Sequence, residues 1–198
     1  MVLNEVTPIP EAALPLAEFR AHLRLGSGFG PHTLQDEVLS GFLRAAIVAI
    51  EGQIGKSLIV REFNLELSAW DDPSGQRLPV APVIEVSDVV MVNRTGEETV
   101  VDRACYAVSR DNHQPVLCPV GGALPCIPVI GTVRVRMHAG LAPGWGELPA
   151  DLGQAVLLLA AYYYEQRAET GIAGGWMPYG VTSLLRRYRP MRLSARAV

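Results

Sequence analysis

The stretch that decides the fold is LGQAVLLLAAYYYEQR at residues 152–167, an apolar run that ends in three tyrosines and charged residues. Pro149 suits the first position of a helix, and the carboxylate of Asp151 complements the positive end of a helix dipole. Apolar side chains then recur at helical spacing, at Leu152, Val156, Leu159 and Tyr163. The pattern predicts a long helix over residues 149–170 with one face in the core.

A basic segment follows this helix. Gly174-Gly175 break the helical pattern, and the sequence LLRRYRP stands at residues 184–190. Residues 181–198 contain five Arg and no acidic residue, a charge of +5, whereas residues 1–180 hold 12 basic and 20 acidic residues, a charge of −8. An acidic body with one basic tail is typical of an interaction tail, because a nucleic-acid-binding domain would spread its basic residues over a face.

The basic segment also carries apolar side chains, including Met191. A frayed, solvated terminus is the alternative interpretation, but a solvated segment rarely carries this much apolar area. We therefore expect the segment to dock on an acidic partner surface, with two leucines as apolar anchors. The expected docking residues are Leu184, Leu185, Arg186, Arg187, Tyr188, Arg189 and Arg192.

The three consecutive tyrosines cannot share one surface, because neighbouring helical positions point about 100° apart. At least one of them is expected in the core. The others either join the core or face a neighbouring subunit, since Tyr is enriched at interfaces, and the sequence leaves both possibilities open. The residues expected at a subunit contact are Tyr162, Tyr164 and Arg167.

The remaining chain divides into a helical part and a β-rich part. Residues 14–57 show two helical patterns separated by glycines at Gly26, Gly28 and Gly30, and Gly55 suits a helix C-cap. The second pattern places a single apolar stripe at Leu39, Leu43, Ile47, Ile50 and Ile54. Residues 58–140 alternate apolar and polar side chains between turn clusters. Within them, the Pro- and Gly-rich stretch 115–128 predicts a loop or a protruding arm.

These patterns predict an α+β fold forming a single domain over residues 1–198. Its helical core has two N-terminal helices (14–57) and one long C-terminal helix with a Gly-rich break (149–180). An antiparallel β section (58–140) is inserted between them, and a basic tail (181–198) extends from the end.

Composition excludes several classes of protein. Three cysteines, an odd number without a signal peptide, argue against a disulfide framework. The longest apolar run, Ala155–Ala161, is too short to span a bilayer. We therefore expect a soluble protein that is made in a reducing compartment and has no membrane partner.

None of the candidate motifs for phosphate binding, metal binding or catalysis has the pattern of residues that its chemistry requires. Gly55-Lys56-Ser57 lacks the earlier glycine of a phosphate-binding loop, since Ile50 stands in its place. Cys118 and Cys126 have no zinc-site spacing. Asp71-Asp72 on a predicted turn are more typical of solvated caps, and no nucleophile elbow is present. We expect no enzymatic activity, no metal and no cofactor.

Taken in order, these features resemble the head-to-tail connector (adaptor) proteins of long-tailed bacteriophages and phage-like gene transfer agents. The Gly26–Gly30 linker and the 115–128 stretch depart from the family's pattern. The resemblance rests on the following residues: Leu16–Leu25, Ala45-Ala46, Ile50-Glu51, Ile54–Ser57, Leu78-Pro79, Pro82-Val83, Val86–Val92, Tyr106, Val108, Val133, Val135, Ala139-Gly140, Leu148-Pro149, Tyr164-Glu165, Arg167, Leu184-Leu185 and Tyr188-Arg189.

The resemblance implies a ring of twelve copies beneath the portal at the capsid vertex, in a virion or phage-like particle assembled in the bacterial cytoplasm. It implies that the C-terminal segment docks on the portal protein and that the opposite face receives tail or stopper proteins. DNA would pass through the lumen without specific binding, because an acidic body repels phosphates.

A small DNA-binding regulatory protein is the alternative function. Such a protein needs a basic helix on its folded body. The charge of −8 over residues 1–180 counts against it.

Overall fold

The computed structural model describes residues 1–25, 33–109, 111–167 and 177–189. Over these residues, four helices and antiparallel sheets confirm the predicted α+β class. The chain divides into two compact units, a β unit (residues 1–8 and 56–143) and a helical unit (residues 9–55 and 144–198). Within the described residues, no helix has the length and apolar character needed to cross a membrane.

The β unit contains two antiparallel sheets. One has five strands in the order β1-β2-β8-β4-β5, and the other has three in the order β3-β7-β6. The strands are β1 (Val2–Glu5), β2 (Arg61–Leu67), β3 (Gln76–Arg77), β4 (Val83–Val92), β5 (Glu98–Val100), β6 (Tyr106–Ser109), β7 (Val116–Pro119) and β8 (Thr132–Ala139).

Both sheets contribute to one buried cluster. In β2 every second side chain is buried, which places Phe63, Leu65 and Leu67 in this cluster. Tyr106 and Leu117 join it from the three-stranded sheet. Because apolar side chains recur with the period of two that a strand requires, the sequence directs one face of each sheet into a shared core.

Two features of the β unit differ from the predictions. Val2–Glu5 form a strand that the sequence did not indicate, because four residues are too few to show an alternation. It pairs with β2, where Glu5 Oε1 lies 2.9 Å from Nε of the buried Arg61. Within the stretch 115–128, predicted as a loop or a protruding arm, Val116–Pro119 form a strand and Leu117 is fully buried, so the loop interpretation was wrong there.

The helical unit contains α1 (Leu16–His22), α2 (Thr33–Ile54), α3 (Ala150–Glu165) and α4 (Tyr179–Leu185). α1 packs on α2 and α3, α2 on α3, and α4 on α3. The predicted glycine linker at Gly26, Gly28 and Gly30 and the break at Gly174-Gly175 lie outside the described residues. The predicted stripe of α2 is confirmed as buried, at Leu39, Leu43, Ile47, Ile50 and Ile54.

Gly55 ends α2 as predicted. Its φ of 67° lies in the left-handed region, and its amide donates to the Glu51 carbonyl at 2.8 Å. Glycine adopts this conformation without the steric penalty that a Cβ would bring, and it is therefore the usual residue after the end of a helix.

Trp145 joins α1 to the start of α3. Its indole Nε1 donates to Glu18 Oε2 at 2.8 Å. Its ring lies 3.5 Å from where a Cβ on Gly153 would stand, so the glycine leaves room for the indole against α3. This contact, which the sequence did not indicate, fixes α1 beside α3.

In the β unit, the backbone at Gly140 lies close to the backbone of Val60, and this contact predicts how a substitution at Gly140 changes stability. Gly140 has a φ of 153°, and a Cβ there would lie 2.5 Å from the Cα and N atoms of Val60. Backbone atoms cannot move aside as a side chain can, so Gly140→Ala should lower the free energy of unfolding by about 3 kcal/mol. Chemical denaturation of the full chain measures this change.

Gly122→Ala is the matched control, since no atom lies within 4 Å of a Cβ at that position. It should change the free energy of unfolding by no more than about 0.5 kcal/mol. Equal stability of the two variants would show that the close approach at Gly140 is unimportant.

Candidate docking surface

The predicted docking residues begin within α4 and continue through a 3-10 turn at Arg186–Tyr188. Val181 and Leu185, four positions apart, are both buried, so one face of α4 is fixed against α3. The side chains of Arg186, Arg187 and Arg189 are exposed. The segment therefore has an apolar face that holds it on the helical unit and a basic face that is open to solvent.

The two predicted anchor leucines differ in accessibility. Leu185 is fully buried within the helical unit, whereas Leu184 is half-buried. In this conformation only Leu184 has apolar surface that a partner could contact. Arg192 lies outside the described residues.

Arg187 and Tyr188 meet Asp151 in the first turn of α3, and we call these three residues the Asp151 cluster. The Tyr188 hydroxyl donates to Asp151 Oδ1 at 2.7 Å and accepts from Arg187 Nη2 at 2.6 Å. Arg187 Nε lies 3.0 Å from Asp151 Oδ2. The guanidinium also lies over the Tyr188 ring, 4.8 Å from its centroid. Two of the predicted docking residues are thus oriented by one carboxylate.

The Asp151 cluster favours protonated Tyr188 and charged Arg187. Burial, together with the hydrogen bond to Asp151, raises the pKa of the Tyr188 hydroxyl. The hydrogen bond to Tyr188 likewise raises the pKa of Arg187. Neither group changes its charge near neutral pH, so the orientation of the segment is insensitive to pH in that range.

Among the residues predicted at a subunit contact, Tyr164 and Arg167 pack on their own chain. The Tyr164 ring meets Phe42 of α2 edge to face, with centroids 5.9 Å apart. Arg167 lies 4.2 Å from the Tyr164 ring centroid, and its Nη1 donates to the Tyr164 carbonyl at 2.8 Å. Tyr164 keeps half-exposed surface and Arg167 is exposed, so both also border solvent.

The third of these residues, Tyr162, lines an open cleft of about 300 Å³ in the helical unit. The neighbouring Tyr163 is half-buried, and burial raises the pKa of its hydroxyl. The cleft lies among α1, α3 and α4, and its lining includes His22, Leu158, Ala161, Tyr162, Glu165 and Val181. We refer to it below as the helical cleft.

The rejected chemical motifs occupy structural positions. Lys56 is buried, and this burial lowers the pKa of its ammonium group, although the nearby Asp111 opposes the shift. Asp72 caps a turn, accepting from the amide and hydroxyl of Ser74 at 2.8 Å each. Cys105, Cys118 and Cys126 are free thiols. Within the described residues, no group of three or more His, Cys, Asp or Glu side chains is placed to hold a metal ion.

Sequence reasoning missed the role of Asp151 and the existence of the helical cleft. The sequence indicates Asp151 only as a complement to the helix dipole, because its partners Arg187 and Tyr188 lie more than thirty positions further along the chain. The cleft joins residues from three helices, including His22 and Val181, which are far apart in the sequence. No local pattern could bring them together.

No protein-family profile and no curated protein matches the chain. Solved structures do match over 98% of both chains. One is described as the neck of an empty gene transfer agent (GTA) particle computed with C6 symmetry, at 47% identity and a TM-score of 0.88. Another is the virion of a native GTA particle, at 45% identity and a TM-score of 0.84. A third is the neck of a native GTA particle computed with C12 symmetry, at 42% identity and a TM-score of 0.83.

Sequence identity above 40% over nearly the whole length, together with the same fold, shows a family relationship and not only a shared architecture. It extends through both units and through the segment that carries the Asp151 cluster. The resemblance indicated by the sequence is confirmed: the chain belongs to the head-to-tail connector family, and its relatives are structural proteins of the gene transfer agent neck.

Proposed function

We propose that this chain is the adaptor of a phage-like particle. Twelve copies form a ring beneath the portal, join the DNA-filled capsid to the tail, and enclose a channel for DNA. The observation that carries the proposal is the full-length similarity to chains from particle necks, including one computed with C12 symmetry. The small DNA-binding regulator is not favoured, because these relatives are neck components.

The portal-docking surface in this proposal consists of Leu184, Arg186, Arg187 and Arg189. The exposed guanidinium groups can make paired, charge-assisted hydrogen bonds with carboxylates of a partner. The apolar surface of Leu184 adds contact area beside them. Arg192 adds a further basic residue three positions after Arg189 in the sequence. Leu185 is buried and holds the segment on the helical unit.

A ring multiplies the strength of this contact. One short basic segment binds weakly, because exposed ion pairs are screened by water and salt. Twelve segments acting on one partner ring bind together, since each attached segment raises the effective concentration of the next. The same ring has a net negative body, so phosphates passing through it are repelled rather than held.

The proposal predicts that the exposed arginines act in docking and not in folding. The double substitution Arg186→Gln and Arg189→Gln should leave thermal unfolding unchanged within error, because both side chains are exposed. It should reduce the yield of tailed particles at least tenfold by removing two charges from each of twelve segments. Electron microscopy of purified particles counts tailed and tailless heads.

Arg77→Gln with Arg94→Gln is the matched control, since both of these arginines are exposed on the β unit. It removes the same charge from a surface outside the proposed docking segment and should give parental yield. A parental yield from the Arg186 and Arg189 variant would contradict the docking assignment.

The Asp151 cluster generates a second prediction. Asp151→Asn keeps the shape of the side chain but removes the charge that pairs with Arg187. The freed guanidinium should bind the portal more readily, so affinity for purified portal should rise by no more than about five-fold, as expected for an exposed ion pair. Surface plasmon resonance at two salt concentrations measures this change.

The control for Asp151→Asn is Asp88→Asn. This substitution also removes a carboxylate near an arginine, because Asp88 Oδ2 lies 3.6 Å from Arg136 Nη1. It should leave portal affinity unchanged. If Asp151→Asn weakened portal binding while Asp88→Asn did not, the carboxylate would contribute to docking directly rather than compete with the portal for Arg187.

A further inference from the structure

Two exposed apolar side chains stand at the end of a tight turn in the β unit. The turn runs from Pro128 to Gly131, whose amide donates to the Pro128 carbonyl at 2.8 Å. Val129 is 88% exposed and Ile130 is 79% exposed. We call this pair the apolar tip. Both side chains are β-branched and uncharged, which is unusual where turns normally carry Gly, Asn, Asp or Ser.

The backbone at the apolar tip is strained. Ile130 has a φ of 58°, in the left-handed region that β-branched residues rarely adopt. Asn or Gly would relieve this strain and would also suit solvent. Ile130 is therefore unfavourable in the isolated chain for two separate reasons, its exposed apolar surface and its backbone conformation. Strain that persists at an exposed position points to a role in binding.

The apolar tip is also held rigidly. A Cβ on Gly131 would collide with the Val92 carbonyl oxygen at the end of β4, so the turn lies directly on that strand. On the other side, Trp70 Nε1 donates to the Pro125 carbonyl at 2.8 Å, and Ile127 packs on the buried cluster of the β unit. A rigid projection loses little conformational entropy on binding, which favours its use as an anchor.

The helical cleft has the complementary chemistry. Leu158, Ala161 and Val181 give it an apolar lining, while His22 and Glu165 place polar groups around them. Tyr162 also lines the cleft and adds an aromatic group. An apolar centre with polar and aromatic groups around it is the usual composition of a protein interface.

We propose that the apolar tip of one copy of this chain inserts into the helical cleft of the next copy in the ring. The inference rests on the proposed ring. A ring requires a heterologous contact, in which two different surfaces of the same chain meet around the circle. The apolar tip and the helical cleft are such a pair, one projecting and one concave. Both belong to a chain whose relatives occupy symmetric necks.

Thiol cross-linking between copies tests the contact directly. Cys105, Cys118 and Cys126 are replaced by Ser, and Ile130→Cys and Leu158→Cys are placed on separate full-length chains. Mixed and assembled into rings, these chains should give a cross-linked dimer with a short bifunctional thiol reagent. In the control, a chain with Ser74→Cys, which lies in another exposed turn of the β unit, replaces the Ile130→Cys chain. This control should give no cross-linked dimer.

The cross-linking results distinguish failure of the tip-to-cleft contact from failure of the proposed ring. Rings without a dimer from Ile130→Cys and Leu158→Cys overturn the tip-to-cleft contact and leave the ring proposal standing. Cross-linking of the tip to a different neck protein also overturns it. A parental chain that forms no ring, alone or on the particle, overturns the proposed function and the inference with it.

Substitution at the apolar tip provides the second test. Val129→Ser with Ile130→Asn removes the apolar surface and relieves the strained φ, so the midpoint of unfolding should stay the same or rise. Analytical ultracentrifugation over a range of protein concentrations measures ring assembly. The variant should need at least a tenfold higher protein concentration than the parental chain to form rings. Val129→Ile keeps the apolar surface and should assemble as the parental chain does. Normal assembly of the Ser–Asn variant would overturn the contact.

Discussion

The position of the basic surface depends on the burial of two side chains, Val181 and Leu185, against α3. A helix of seven residues does not persist in water on its own. Burial of a Val or Leu side chain contributes about 1.5–3 kcal/mol each, which is enough to hold so short a helix on its neighbour. α3 is in turn fixed by the buried stripe of α2. The apolar core of the helical unit therefore sets where the basic segment lies, and Asp151 orients Arg187 within it.

The two units present surfaces of different character. The helical unit carries charged groups whose contacts weaken with salt, because exposed ion pairs are screened. The β unit carries the apolar tip, whose side chains bear no charge, so the contact proposed for it depends on apolar area and shape. The proposed subunit contact and the proposed portal contact therefore rest on different interactions, although the helical unit takes part in both, and neither kind of contact can substitute for the other.

Periodic features were predictable from the sequence, and contacts between distant residues were not. The stripe of α2 and the cap at Gly55 follow from local spacing and were confirmed. β1 was missed because Val2–Glu5 are too short to show a period, and β7 because prolines near Leu117 suggested a loop. The cluster of Asp151 with Arg187 and Tyr188 joins residues about 37 positions apart in the chain, so only the packing of α4 on α3 brings them together. The proposed docking role rests on charge asymmetry and family resemblance, not on a contact within the chain.

The pairing of Arg187 with Asp151 also affects how the basic segment attracts nucleic acid. RNA and DNA attract exposed guanidinium groups without regard to sequence. A carboxylate 3.0 Å from one of these groups weakens the local positive field. The pairing therefore lowers the tendency of Arg187 to hold nucleic acid non-specifically.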